Sequence, residues 1–225
     1  MKVCKHFVFW LLLCATLAGS SGAGQVVDRM VANVNGHVLL QSDWEEELAF
    51  EAFLDARSPD SFTPEERKAA LDRLIDQELL REEVRPSEET PAQQVAARVA
   101  EVRKLHPEAA TDDGWRHALQ RYGLTQTELE KRLGRSILLM RLVEARLRPS
   151  IQIDQKAVES YYQEQLLPEL KKAGSREVAL PEVFGRIRDL LAEKRLNQLL
   201  QGWLASLRSA SHIQTPGTSG GDQTR

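Results

Sequence analysis

Apolar residues recur along this chain in two rhythms, and the change from one to the other marks out its elements. Between Val26 and Leu40 they are β-favouring and closely spaced. Val26, Val27, Met30, Val31 and Val34 precede Asn35-Gly36, and Val38, Leu39 and Leu40 follow it. Both central residues of a type I′ turn take positive φ, which Asn-Gly tolerates best, so the stretch predicts a β-hairpin. Ser42-Asp43-Trp44-Glu45 reads as a capping box, with the Ser42 hydroxyl accepting from the Glu45 amide, and opens a helix that runs to about Arg57.

From there the rhythm is helical. Thr63-Pro64-Glu65-Glu66 starts a helix on which Leu71, Leu74, Ile75, Leu79 and Val84 recur. Pro86 ends it. Thr90-Pro91-Ala92-Gln93 repeats the same start for a helix with Val95, Val99 and Val102, stopped by Pro107. A short helix around Trp115, Leu119 and Tyr122 ends at Gly123, a left-handed C′ residue with Leu124 placed to pack back. Thr125-Gln126-Thr127-Glu128 caps a long helix carrying Leu129, Leu133, Ile137, Met140, Val143 and Leu147, which Arg148-Pro149 terminates. Ile151-Gln152-Ile153 reads as a very short strand or an extended crossing, and Asp154 caps a helix through Tyr161, Tyr162 and Leu166.

Lys171 to Arg176 is polar, and Leu180-Pro181 marks the boundary before a final helix from Val183 to Leu207. Ser209 to Thr215 then reads as a short extended segment. A two-stranded hairpin is marginal in water, so this segment is the expected third strand, bringing the two chain ends together. The fold class that results is mostly α, with a small antiparallel sheet made by the N-terminal hairpin and the C-terminal strand.

The first residues stand apart from that fold. Lys2 and Lys5 precede an apolar run from Phe7 to Ala18, and Ser21-Gly22-Ala23 is a small-residue cleavage site, the pattern of a secretory signal peptide cut between Ala23 and Gly24. The run is short for a membrane span, which makes an uncleaved anchor the lesser alternative and stable membrane insertion unexpected once the signal is gone. Both cysteines, Cys4 and Cys14, lie in that segment, so the exported chain has neither disulfide nor thiol ligand. The chain of 225 residues is 42% hydrophobic and 28% charged, ordinary for a globular protein. Its formal net charge is −3, and more negative without Lys2 and Lys5, which disfavours nucleic acid as a partner.

Catalysis of the common classes needs a nucleophile with its base, paired carboxylates, a metal cluster or a phosphate cradle, and no such pattern stands out. No catalytic residue, metal or cofactor is expected. His37, His106, His117 and His212 share no metal-ligand spacing and read as surface or edge residues. Glu45-Glu46-Glu47 and Glu65-Glu66 sit near helix starts, where the macrodipole favours acids. Arg132, Arg135, Arg141, Arg146 and Arg148 read as the solvated face of the long helix.

The first helix is apolar nearly all round at its C-terminal half: Trp44, Leu48 and Ala52 share one face, Phe50 and Leu54 lie opposite, and Phe53 sits between. Two readings fit. Either it is a central helix buried on two sides, or Phe50, Phe53 and Leu54 line an exposed groove for unfolded clients or a partner helix. Trp115 and Tyr122 are further client-binding candidates.

The order of these pieces resembles the SurA-type periplasmic chaperones. Val26 to Gly36 with the Ser42-Asp43 helix start resembles the family's opening, Leu74-Ile75-Asp76-Gln77-Glu78-Leu79-Leu80 its second helix, and Tyr122-Gly123-Leu124-Thr125 its turn into a long helix. Trp203 to Ile213 resembles its C-terminal helix and strand. The resemblance implies a helical, trigger-factor-like chaperone core over residues 24–215. Residues 24–166 form its N-terminal part, 167–181 a linker where the family carries a parvulin prolyl-isomerase domain, and 182–215 the closing helix and strand, with a 216–225 tail. The linker is too short for a parvulin, so isomerase activity is not carried over. What the resemblance implies is an ATP-independent periplasmic holdase for unfolded polypeptides, outer-membrane proteins in transit among them. The rivals are an isomerase-family protein with residual or no activity, and an envelope module that dimerises through its first helix.

Overall fold

The computed structural model describes residues 28–84 and 90–216. Val26, Val27, Pro86 and the expected cleavage site at Ala23 and Gly24 lie outside them. Strands β1 (Met30–Val34) and β2 (His37–Leu40) pair antiparallel, with Val34 opposite His37 and Asn33 opposite Val38. At the turn between them Asn35 has φ +52° and Gly36 φ +93°, as a type I′ hairpin requires.

Strand β3 (Ile213–Gln214) adds to the far side of β1, giving the sheet order β2-β1-β3. Asn35 fastens this closure as well as the turn. Its amide nitrogen donates to the His212 carbonyl at 2.9 Å, its side-chain oxygen accepts from the His212 amide at 2.8 Å, and its Nδ2 donates to Glu82 at 2.8 Å. The extended segment is shorter than the expected Ser209 to Thr215, because the last helix continues to Ala210.

Helix α1 (Gln41–Leu54) starts one residue before the sequence reading placed it. The Asp43 carboxylate, not Ser42, satisfies the helix start by accepting from the Leu40 amide at 2.8 Å, and the Ser42 hydroxyl donates to Asp28 instead. Helix α2 (Pro64–Glu82) has the expected capping box between Thr63 and Glu66. The Thr63 amide and the Arg57 guanidinium, in that order, hold the Glu66 carboxyl below its ordinary value. Helix α3 (Ala92–Lys104) begins differently: Pro91 is its N-cap and makes no side-chain bond, while the Thr90 hydroxyl donates to the Gly134 carbonyl at 2.8 Å.

Helix α4 (Asp112–Arg121) closes on Gly123 at φ +67°, with the Leu124 amide bonded back to the Leu119 carbonyl and the Gly123 amide to Gln120. At its start Gly114 packs so closely on the Glu108 carbonyl that a Cβ would lie 1.9 Å from that oxygen. Helix α5 (Gln126–Leu147) follows, capped by Thr125 and Glu128. Ile151 to Ile153 is an extended crossing with no strand pairing.

Helix α6 (Gln155–Tyr161), capped by Asp154, runs through a π turn (Tyr162–Leu166) into helix α7 (Leu167–Lys172). Pro168 explains the π turn. Proline has no N–H to give the Glu164 carbonyl and its ring would crowd that group in an α-helix, whereas here the Leu167 amide reaches back to the Tyr162 carbonyl. Helix α8 (Leu180–Ala210) spans roughly 45 Å. Thus the 167–181 stretch is helical at both ends, and residues 173–179 alone join α7 to α8.

The apolar faces meet in distinct clusters. Val31, Ala32, Val34 and Leu39 of the sheet pack on Ile75 and Leu79 of α2. Leu80 of α2, Val143 of α5, and Leu196, Trp203 and Leu204 of α8 form another. Arg208 ties α8 to α2 by donating to Asp76 at 2.6 Å and to the Asp72 carbonyl at 2.8 Å.

Candidate functional site

The five residues singled out for client binding are brought together, but inside the molecule. Phe50, Phe53 and Trp115 are buried in one cluster with Val102, Leu119, Leu129 and Leu133, and Leu54 and Tyr122 pack against it half-buried. Phe53 is 0% exposed. Its ring stacks on His106 at 4.3 Å and meets Tyr122 edge-on at 5.3 Å, and Trp115 lies 5.7 Å away. The indole of Trp115 donates to Gln126 at 2.7 Å. The exposed groove is therefore corrected to a core. The C-terminal half of α1 is apolar on two sides because it lies between two layers: Leu48 and Ala52 meet Phe62 and Ala70 on one side, while Phe50 and Phe53 meet α3, α4 and α5 on the other.

Two polar residues complete that core and had no local signal. His106, read as a surface residue, is only 4% exposed, and its Nε2 lies 2.9 Å from the Phe53 carbonyl. Arg132, read as part of a solvated face, has a side chain only 14% exposed. It donates to Glu46 at 2.6 Å and Glu47 at 3.1 Å, and lies over the Phe50 ring. Glu47 is buried too, and accepts from Gln77 at 3.0 Å.

Thinly covered apolar surface is found at the other end. Helix α6 and the π turn pack against the first half of α8 as a hairpin arm. Only Val158, Val183 and Ile187 are buried there, while Tyr161, Leu166, Val178, Leu180, Phe184 and Leu191 are half-covered around them. A shallow recess of about 200 Å³ opens between the π turn and α8, lined by Tyr161, Leu166, Val183, Arg186, Ile187 and Leu190. Leu190 is 41% exposed. The Tyr162 hydroxyl donates to the Val178 carbonyl at 2.8 Å and holds the tip of the arm closed.

At the arm's base Arg148 joins Glu144 of α5 to Glu193 of α8, the latter at 2.7 Å, and these two carboxylates raise the guanidinium pKa above its ordinary value. This recess can seat an apolar side chain against aliphatic walls, with a guanidinium at its rim. Its lining contains neither a carboxylate nor an imidazole. Among the described residues no group of three or more His, Cys, Asp or Glu is placed to hold a metal ion, and no helix is long and apolar enough to cross a membrane.

Comparison with protein families adds the context for this architecture. The family described as the SurA-like N-terminal domain matches residues 2–143, from the leading segment into α5 and short of the arm. No curated protein matches the chain. The hairpin, helices α1 to α4 and most of α5 lie in the matched stretch, which is more than half of the sequence. The chain belongs to the SurA-like N-terminal domain family.

Proposed function

We propose that this protein is an ATP-independent periplasmic chaperone that holds unfolded polypeptides, outer-membrane proteins in transit among them. The observation that carries the reading is the half-covered apolar arm on a chain of this family. Holding an unfolded segment requires apolar surface that stays accessible in the folded chaperone, with charge around it to keep the complex soluble. The arm offers both, with Leu190 and the half-buried Leu166 and Tyr161 set among Glu164, Arg186, Arg188 and Lys194. On this reading the chain works by binding alone, without nucleotide, cofactor or catalytic group. Its leading segment serves as the export signal.

The test is light scattering of a urea-diluted outer-membrane β-barrel protein, with and without a near-stoichiometric amount of the chain from Gly24 onward, in the absence of nucleotide. Suppressed scattering is expected, and it weakens in Leu190→Ser, which removes an exposed side chain and leaves the helical circular dichroism unchanged. Unaltered client scattering at excess chaperone, over several clients, would refute the reading.

A further inference from the structure

The stretch of α8 that walls the recess carries a pattern the apolar surface alone does not explain. Arg186, Leu190 and Lys194 are spaced four residues apart, so they follow one another along one face of the helix. Arg186 and Leu190 line the recess, and the Lys194 ammonium lies over the ring of Tyr161, another lining residue, at 4.9 Å. Among the described residues, neither cation has an ion-pair partner.

Among the described residues no carboxylate near the recess, Glu164 included, forms an ion pair with either cation. Asp189 faces Arg188 at 3.6 Å, Glu193 is taken by Arg148 at 2.7 Å, and Glu182, one turn before Arg186, forms no ion pair with it. The recess is thus an apolar seat between two cations with free valence for acids.

Spacing then says what shape of ligand fits. Eight residues of α-helix separate Arg186 from Lys194 by roughly 12 Å. Residues i, i+2 and i+4 of an extended strand share one face, and the outer two lie roughly 13 Å apart. Building on the client-holding reading, we propose that the recess selects extended segments in which an apolar side chain is flanked, two residues away on each side, by a carboxylate. The apolar group enters beside Leu190, and the two acids meet Arg186 and Lys194.

The test uses labelled peptides containing Asp-Thr-Phe-Thr-Asp, the same with Asn for Asp, and the same with Lys for Asp, titrated against the chain from Gly24 onward by fluorescence anisotropy. Two exposed ion pairs favour the acidic peptide over the Asn peptide by about three- to tenfold at low salt, and the preference shrinks at high salt. The double variant Arg186→Glu, Lys194→Glu alters only exposed side chains, and it reverses the order so that the Lys peptide binds best. Equal affinity for all three peptides would overturn the proposed selection while leaving the client-holding reading intact. Absence of binding to any of them, with aggregation still suppressed, would overturn it too by placing client contact elsewhere. If suppression were absent as well, the underlying holdase reading would be the one to fall.

Discussion

Phe53→Ala lowers the unfolding free energy by about 3–5 kcal/mol, the range for truncating a fully buried aromatic side chain, as read from urea denaturation followed by circular dichroism. Phe53 is the point where α1 meets the α3–α5 lobe, with the rings of His106, Tyr122 and Trp115 against it. Truncation leaves a void lined by rings that are held by other bonds. Trp115 is tied to Gln126 and His106 to the Phe53 backbone, so the site collapses poorly. An effect below about 1 kcal/mol, typical of surface substitutions, would mean that Phe53 faces solvent and would return the α1 face to the list of client surfaces.

The second large effect concerns the buried ion pair. Arg132→Ala leaves Glu47 buried with Gln77 as its remaining partner and removes the guanidinium that covers Phe50, so a loss of about 3–5 kcal/mol is expected. Removing the stranded charge as well recovers much of that loss. Arg132→Ala with Glu47→Gln keeps the same loss of packing but leaves two amides, the introduced one and that of Gln77, able to bond each other, so the double variant is more stable than Arg132→Ala alone. Equal instability of the two would show that the cost comes from lost packing and not from uncompensated charge. Both variants are followed by the same denaturant titration at neutral pH.

The parts of this fold that were legible in the sequence are those fixed by neighbours in the chain. Asn35-Gly36 gives the hairpin turn because its requirement for positive φ is met by the two residues themselves. Thr63, Thr125 and Asp154 give helix starts because their side chains reach amides only a few residues on. Where a distant residue competes, the local reading slips. Asp28 engages the Ser42 hydroxyl, and the helix start moves to the Leu40 amide and Asp43.

Thr90 likewise leaves its helix to bond Gly134, forty-four positions away. Sequence periodicity also cannot say where along a helix the cover ends. Met140 falls on the same stripe of α5 as Leu133 and Val143, yet it is 59% exposed. The Leu133 end packs on α3 and α4, the Val143 end packs on α8, and the two clusters do not meet over Met140.

The same limit applied to the site. Phe50, Phe53, Leu54, Trp115 and Tyr122 were recognisable as large apolar residues that belong together, and they do cluster. Whether they face water depends on α3 and α4 closing over α1, which is a tertiary fact. Conversely, the arm reads in sequence as a helix capped by Asp154 and a polar linker. Its recess arises from the π turn forced at Pro168 and from the packing of α6 and that turn on α8, neither of which shows in the apolar spacing.

The most direct measurement is site-specific photo-crosslinking to an unfolded outer-membrane β-barrel client. A photoreactive residue is placed in turn at three exposed apolar positions: Leu190 on the arm, Met140 on α5 and Leu105 after α3. All three side chains reach solvent, so each position tolerates the probe without loss of fold. Client adducts are expected from Leu190, with background levels from Met140 and Leu105. Adducts from Met140 or Leu105 with none from Leu190 would contradict the proposed function of the arm, since the client would then be held on the body of the molecule and not on its arm.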